Sequence, residues 1–230
     1  MRSSFLAFCF LVFGTMCIAQ DCKTFLFMST NAQIEMTIYD KKGKASGVQS
    51  WNVTDVKNDG NGYSSTINTL FKDEKGKEIS KGTGLYKCSG GMLQADMQMV
   101  MPPQPQLQTS DVKLSNAYIE YPYAMTVGQS LKDAHMEMDL TLNSGMKSKV
   151  NFKETNRKVN AKESITTPAG TWDAYQISYD ANMRIQMGPI GVPTNFTVKE
   201  WYVPGVGIVK SETYRKGGLA GSTVITSIKK

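Results

Sequence analysis

Apolar and polar residues alternate with a period of two along most of the chain. Ile34, Met36 and Ile38 interleave with Gln33, Glu35 and Thr37, and Tyr63, Ser65, Ile67, Thr69 and Phe71 share one face further on. Successive side chains of an extended strand point to opposite sides, so this pattern predicts antiparallel strands with one buried face. Between them lie "DKKGK", "NDGNG", "DEKGK" and "CSGG", whose Asp, Asn and Gly supply the positive-φ corners that hairpins need. The first half therefore reads as a meander.

The stretch "MPPQPQLQTS", residues 101–110, cannot continue a strand or helix through three prolines and is expected to be a surface crossover. After it Met136, Met138, Leu140 and Leu142 alternate with His135, Glu137, Asp139 and Thr141, and a turn at Asn143-Ser144-Gly145 leads to Val150 and Phe152. A Pro-Ala-Gly turn separates two further strands, with Tyr175, Ile177 and Tyr179 on one face and Met183, Ile185 and Met187 in register beyond. Helix signals are scarce. The predicted fold is all-β: a long antiparallel meander curled into a barrel, half-barrel or β-roll, which buries the apolar face and limits open edges.

The Gly-rich segment inside "EWYVPGVGIVKSETY" raises the question of a ligand loop. A phosphate-cradling loop needs a following helix whose free N–H groups face the anion, and "IVKSETY" alternates like a strand instead. Pro204, Gly205 and Gly207 are thus expected to form a hairpin corner.

The chain opens with a cationic start at Arg2, an apolar run from Phe5 to Phe13 and a small residue at Ala19, the signature of a cleaved secretory signal over residues 1–20. That run is too short for a spanning helix, and no other stretch is long and apolar enough to cross a bilayer as one. Met16 before Cys17 and Asp21 before Cys22 do not fit a lipid-modification site. Residues 21–230 are expected to form a single exported β-domain. Cleavage leaves two cysteines, Cys22 and Cys88, in an oxidising space where they are expected to pair, with two free buried thiols as the alternative. The two cysteines and the single histidine, His135, cannot make up a structural zinc set. The net charge of +6 becomes +5 without Arg2, and the lysines mix with acids in turns, so a nucleic-acid-binding stripe is not supported.

Two segments, "KESITTPAGTWDAYQIS" and "EWYVPGVGIVKSETY", together resemble a recurrent pair in TapB-like exported bacterial proteins of the domain-of-unknown-function type. The motif residues here are Pro168, Gly170 and Trp172 in the first turn, and Trp201, Pro204, Gly205 and Gly207 in the second. The resemblance covers roughly the last hundred residues, more loosely "IEYPYAMTVGQSL" and the cysteines. It implies an all-β envelope protein, periplasmic or extracellular in a Gram-negative bacterium, and carries over no catalytic residues.

Candidate chemistry is sparse. His135 falls on the polar alternation of its strand among Asp133, Glu137 and Asp139, which reads as a solvated face; a hydrolase centred on it is the second alternative. "NDGNG" resembles part of a calcium loop starting at Asp55, but Lys57 occupies a ligand position and Thr66 stands where a bidentate Glu belongs. No metal or cofactor is expected. Methionine is the unusual usage: Met97, Met99 and Met101, then Met136 and Met138, then Met183 and Met187 alternate. Soft thioethers either fill a core or line an irregular pocket; copper binding through several sulfurs is a third use. The expected function is non-catalytic: an exported envelope protein holding a lipid-like apolar ligand, or an envelope partner, against a concave face lined by Met97, Met99, Met136, Met138, Leu140, Met183 and Met187. The first alternative is a purely structural or interaction module with a solid core.

Overall fold

The fold is given by a computed structural model that describes residues 22–100, 109–114, 117–142, 145–187 and 190–230. The expected signal segment and most of the Pro-rich crossover, including Met101, lie outside the described residues. The first meander comprises β1 (Gln33–Asp40), β2 (Ala45–Asn58), β3 (Tyr63–Asp73), β4 (Glu78–Ser89) and β5 (Met92–Asp96). One helical turn, α1 (Met97–Val100), follows. After the crossover come β6 (Thr109–Leu114), β7 (Tyr118–Pro122) and β8 (Ala134–Leu142). The second meander continues through β9 (Lys147–Thr167), β10 (Gly170–Met187), β11 (Ile190–Val203), β12 (Gly207–Arg215) and β13 (Gly218–Lys229).

These strands form one 13-stranded sheet in the order β6-β8-β9-β10-β11-β12-β13-β1-β2-β3-β4-β5-β7. The expected all-β fold is borne out, as a nearly closed barrel. Its halves are joined by β13, which returns to pair antiparallel with β1. The crossover carries the chain from one margin of the sheet to the other, and β7 then comes back to pair with β5. The seam therefore falls between β7 and the β8–β9 side.

Two devices close that seam. Where β8 ends, the segment before it takes over the exposed edge of β9: the N–H of Gly128 donates to Val159 at 2.8 Å, that of Val159 to Gln129 at 2.9 Å, and that of Leu131 to Arg157 at 2.8 Å. The guanidinium of Arg157 then reaches across, with Nη1 donating to the carbonyls of Glu120 at 3.1 Å and Lys132 at 2.7 Å. Unpaired edge groups are thereby satisfied on both sides of the gap.

The segment of residues 22–28 enters the barrel end. Cys22–Thr24 and Leu26–Met28 are two short 3-10 turns, and Phe25, Leu26, Phe27 and Met28 are all buried. Phe27 stacks on Tyr86, with centroids 4.3 Å apart, and meets Trp51 edge-on at 6.2 Å. The Cys22–Cys88 disulfide fixes this plug to β4, across a sequence separation of 66. Closing a loop of that size contributes about 4 kcal/mol on the chain-entropy view.

The corner after β11 receives the plug. Val206 donates its N–H to Val203 at 3.0 Å, closing a turn as expected, and Leu26 donates to the Gly205 carbonyl at 2.7 Å. Gly205 has φ +83 and Gly207 φ +108, the left-handed region that glycine tolerates. Gly207 has a second reason to lack a side chain: a Cβ there would stand 2.8 Å from the Phe27 ring.

Candidate functional site

The interior carries charge that the alternation of apolar residues conceals. On β9, Val150, Phe152 and Glu154 all point inward, and regular alternation would put Asn156 inward next. A bulge intervenes: Ser178 pairs with Lys158 but Asp180 pairs with Thr155, and Asn156 adopts φ +58. The extra residue switches the parity. Asn156 faces out and donates to Asp180 at 2.9 Å, while Arg157 turns inward beside Glu154. On β11 the inward positions are Val198, Glu200 and Tyr202. Glu154, Arg157 and Glu200 are each 1% exposed.

Arg157 has its charge distributed over several partners. Its Nε stands 3.6 Å from Glu154 Oε2, and its guanidinium lies over the Tyr121 ring, 5.0 Å from the centroid. Tyr121 in turn stacks on Tyr202 at 4.7 Å. One guanidinium thus faces two buried carboxyls. Burial pushes the carboxyl of Glu154 up to about 8 and that of Glu200 up to about 7, while Arg157 pulls both the other way. Near neutral pH the pair retains a proton. The Tyr179 hydroxyl donates to Glu200 Oε2 at 3.4 Å.

Next to Glu200 lies a cavity of about 90 Å³. Its wall includes Phe27, Trp51, Tyr86, Tyr121, Tyr179 and Tyr202, and Met36, Gln49, Met99, Ser211 and Thr223 also line it. Four polar atoms of that wall are buried without a hydrogen-bond partner: Trp51 Nε1, Tyr121 Oη, Tyr202 Oη and Glu200 Oε1. Such groups are costly to leave unsatisfied, and a cluster of them around one space marks a place built to be filled by water or a ligand. Two larger concavities, about 240 and 760 Å³, lie open on the outside of the barrel, and in the larger one Asn156 and Asp180 already bond each other.

The methionines do not gather around this space as a lining. Met97 and Met99 are not on a strand: the Asp96 carboxylate accepts the Gln98 N–H at 3.0 Å and starts the helical turn α1. Met99 reaches the cavity, and it packs where a side chain at Gly84 would otherwise stand. Met97, Met136 and Met138 are buried in the packed core, and Met183 packs against it. Met187 stands 44% exposed near the tip of the β10–β11 hairpin, beside the exposed Ile190 and Val192. The side chain of Leu140 lies outside the described residues. Of the expected lining set, Met99 stands at this cavity, Met97, Met136 and Met138 lie in the packed core, and Met187 lies towards solvent.

The motif turns hold strands together. Thr167 Oγ1 accepts the Ala169 N–H at 3.3 Å beside Pro168, and Gly170, at φ +151, leaves room for the Trp172 ring, which a Cβ would meet at 3.0 Å. Trp201 lies on the outer face, donating Nε1 to Glu163 at 2.6 Å with Lys210 4.4 Å over its ring. His135 is half-exposed, opposite Lys153 in register and 3.7 Å from Glu137. "NDGNG" forms the β2–β3 hairpin corner, with Gly60 at φ +86.

Among the described residues, fold and site define a class: a nearly closed β-barrel with a polar, aromatic-walled cavity beside buried charges. The chain belongs to the DUF3108-like family, whose model matches residues 30–225. A protein from Parabacteroides distasonis assigned as a lipoprotein shares the fold with a TM-score of 0.75 and 26% identity, over 91% of this chain and 100% of its own. A Bacteroides fragilis protein assigned as exported, with a YmcC-like fold, aligns with a TM-score of 0.73 and 24% identity, over 88% of this chain and 97% of its own. At that identity the second likeness speaks for the fold alone. No curated protein matches the chain. The match supports the coarser expectation, a β family without assigned chemistry, and does not extend to the TapB-like grouping.

Proposed function

We propose that this is a non-catalytic, exported envelope protein that works by holding a small ligand inside its barrel. The observation that carries the reading is the ring of unpartnered buried polar atoms around the cavity, at Trp51, Tyr121, Glu200 and Tyr202. Export is supported by the leader-like residues 1–20, by the Cys22–Cys88 disulfide, which persists in oxidising compartments, and by the assignment of the Parabacteroides neighbour as a lipoprotein. Size decides the ligand class. Pockets for drug-sized molecules run to about 300–1,000 Å³, and a space of about 90 Å³ suits a molecule of a few non-hydrogen atoms rather than an acyl chain.

The test has two parts. Native mass spectrometry of protein purified from the envelope is expected to show no phospholipid adduct. A thermal-shift panel of small cations, anions and neutral polar molecules is expected to give saturable stabilisation by at least one class. Ala95 is buried and lines the cavity, so Ala95→Val should fill part of that space and abolish the shift while leaving the melting temperature of the free protein unchanged or raised. A co-purifying phospholipid, or a panel without a single saturable binder, would overturn the reading, the latter in favour of a solid structural module.

A further inference from the structure

We infer that the occupant of the cavity is a small organic ammonium cation, held between the free carboxylate oxygen of Glu200 and the aromatic wall. This rests on the interior-cavity reading above and adds the charge of the ligand to it.

Three observations exclude the other charge types. The first is the placement of charges. Arg157 spends Nη1 on the carbonyls of Glu120 and Lys132 and lies over the Tyr121 ring beside Glu154, while its Nε and Nη2 are buried without a hydrogen-bond partner. It does not line the space, so the cavity side of Glu200 has no cationic neighbour on the wall. An anion placed there would meet a carboxyl with nothing to pair against.

The second is the wall itself. Six aromatic residues line the space; Tyr121 and Tyr86 have stacking partners, and Trp51 and Tyr179 are among the rings whose electron-rich faces stabilise ammonium groups. Tyr121 Oη and Tyr202 Oη add acceptor lone pairs for N–H groups, whereas Ser211 and Thr223 are already bonded to each other at 2.6 Å.

The third is the imbalance of two buried carboxyls against one guanidinium. A proton makes up the difference near neutral pH, because burial disfavours ionisation of both carboxyls. An ammonium ion supplies the same compensation from the cavity side. Binding then exchanges one for the other: the carboxyl pair loses its proton to solvent as the cation enters, and two carboxylates stand against Arg157 and the ammonium. The groups that act on Glu200 are Glu154 and Arg157 from β9, Tyr179 from β10, Tyr121 from β7, Tyr86 from β4 and Tyr202 from its own strand. The tyrosines are held protonated by the same burial, so they do not titrate in the same range.

The sign of the coupling follows. The cation selects the fully ionised pair, so affinity rises with pH while the pair keeps a proton and levels off once both carboxyls are ionised in the free protein. Isothermal titration of the mature protein with tetramethylammonium chloride and with methylammonium chloride is the experiment, with tert-butanol as neutral comparison and acetate as the anion. At least one cation should bind about tenfold more tightly at pH 6.5 than at pH 5.5, for one proton exchanged, and level off above about pH 8. Heats measured in phosphate and Tris should differ by the release of one proton. Glu200→Gln should weaken cation binding at least about tenfold and remove its pH dependence, while Glu154→Gln leaves Arg157 to Glu200 and should move the dependence to lower pH.

The outcomes separate. Equal binding of tert-butanol and the cations, without pH dependence, would overturn the cation while leaving a small-ligand site in place. Unchanged cation binding in Glu200→Gln would overturn it too. Failure of every small molecule to bind would take the interior-site reading down with it.

Discussion

Arg157→Ala is expected to lower the unfolding free energy by about 3–5 kcal/mol, the range seen when one partner of a buried charge group is removed. The loss has several sources. Two carbonyls at the barrel seam, Glu120 and Lys132, lose their donor. The Tyr121 ring loses the group packed on its face, and Glu154 and Glu200 lose the only guanidinium among them. Urea unfolding monitored by the buried tryptophans reads the change, and amide exchange in β7 should rise, because Arg157 holds that strand to β9. Combining Arg157→Met with Glu154→Gln should recover a large part of the loss, since the charge and its partner go together. A cost below about 1 kcal/mol for Arg157→Ala would show that the seam closes without it.

The plug is the second place where one residue carries much of the fold. Phe27→Ala should cost about 3–5 kcal/mol, because the ring is buried between Tyr86 and Trp51. Gly207→Val should be of comparable severity, from two separable causes: a β-branched residue at φ +108, and a Cβ at 2.8 Å from Phe27. In a Phe27→Ala background the clash disappears and only the backbone strain remains, so the two changes together should cost less than their sum. Gly205→Val offers the comparison, because its nearest neighbour is the Thr24 carbonyl at 3.8 Å and only its φ of +83 is at issue. Strict additivity of Phe27→Ala and Gly207→Val in denaturant midpoints would contradict the contact between plug and corner.

The barrel was legible in the sequence because its strands obey a period of two and its corners carry the residues that positive φ requires. Asp40-Lys41-Lys42-Gly43-Lys44 illustrates this, with the Asp40 carboxylate accepting the N–H groups of Lys42 and Lys44. The cysteine pair was legible from compartment alone. The site's acids were missed although a signal was present: Glu154 follows Val150 and Phe152, and Glu200 sits between Val198 and Tyr202, so each is an acid at an inward parity. Arg157 was not readable. It reaches the interior only because the bulge at Asn156 reverses the alternation, and a bulge is set by the pairing with β10 rather than by local composition. The methionines misled for a related reason. Met97 and Met99 alternate in sequence, yet the Asp96 cap makes a helical turn of them. Met187 keeps the parity of Met183 on a strand that has run beyond the core.

A carboxyl pair that keeps a proton inside the barrel near neutral pH underlies both the site and the pH dependence of stability. Carbon-13 NMR titration of the glutamate carboxyls reads this directly. Two resonances, removed one at a time by Glu154→Gln and Glu200→Gln, should titrate between about pH 7 and 8 rather than near the ordinary glutamate value. Because both groups are raised on folding, the native state binds more protons than the unfolded chain above about pH 4.5. Stability should then fall as pH rises through that window to about 8, and each Gln variant should flatten the fall. Glutamate resonances that all titrate below about pH 5, with a stability profile unchanged by either substitution, would contradict the buried proton and the site built around it.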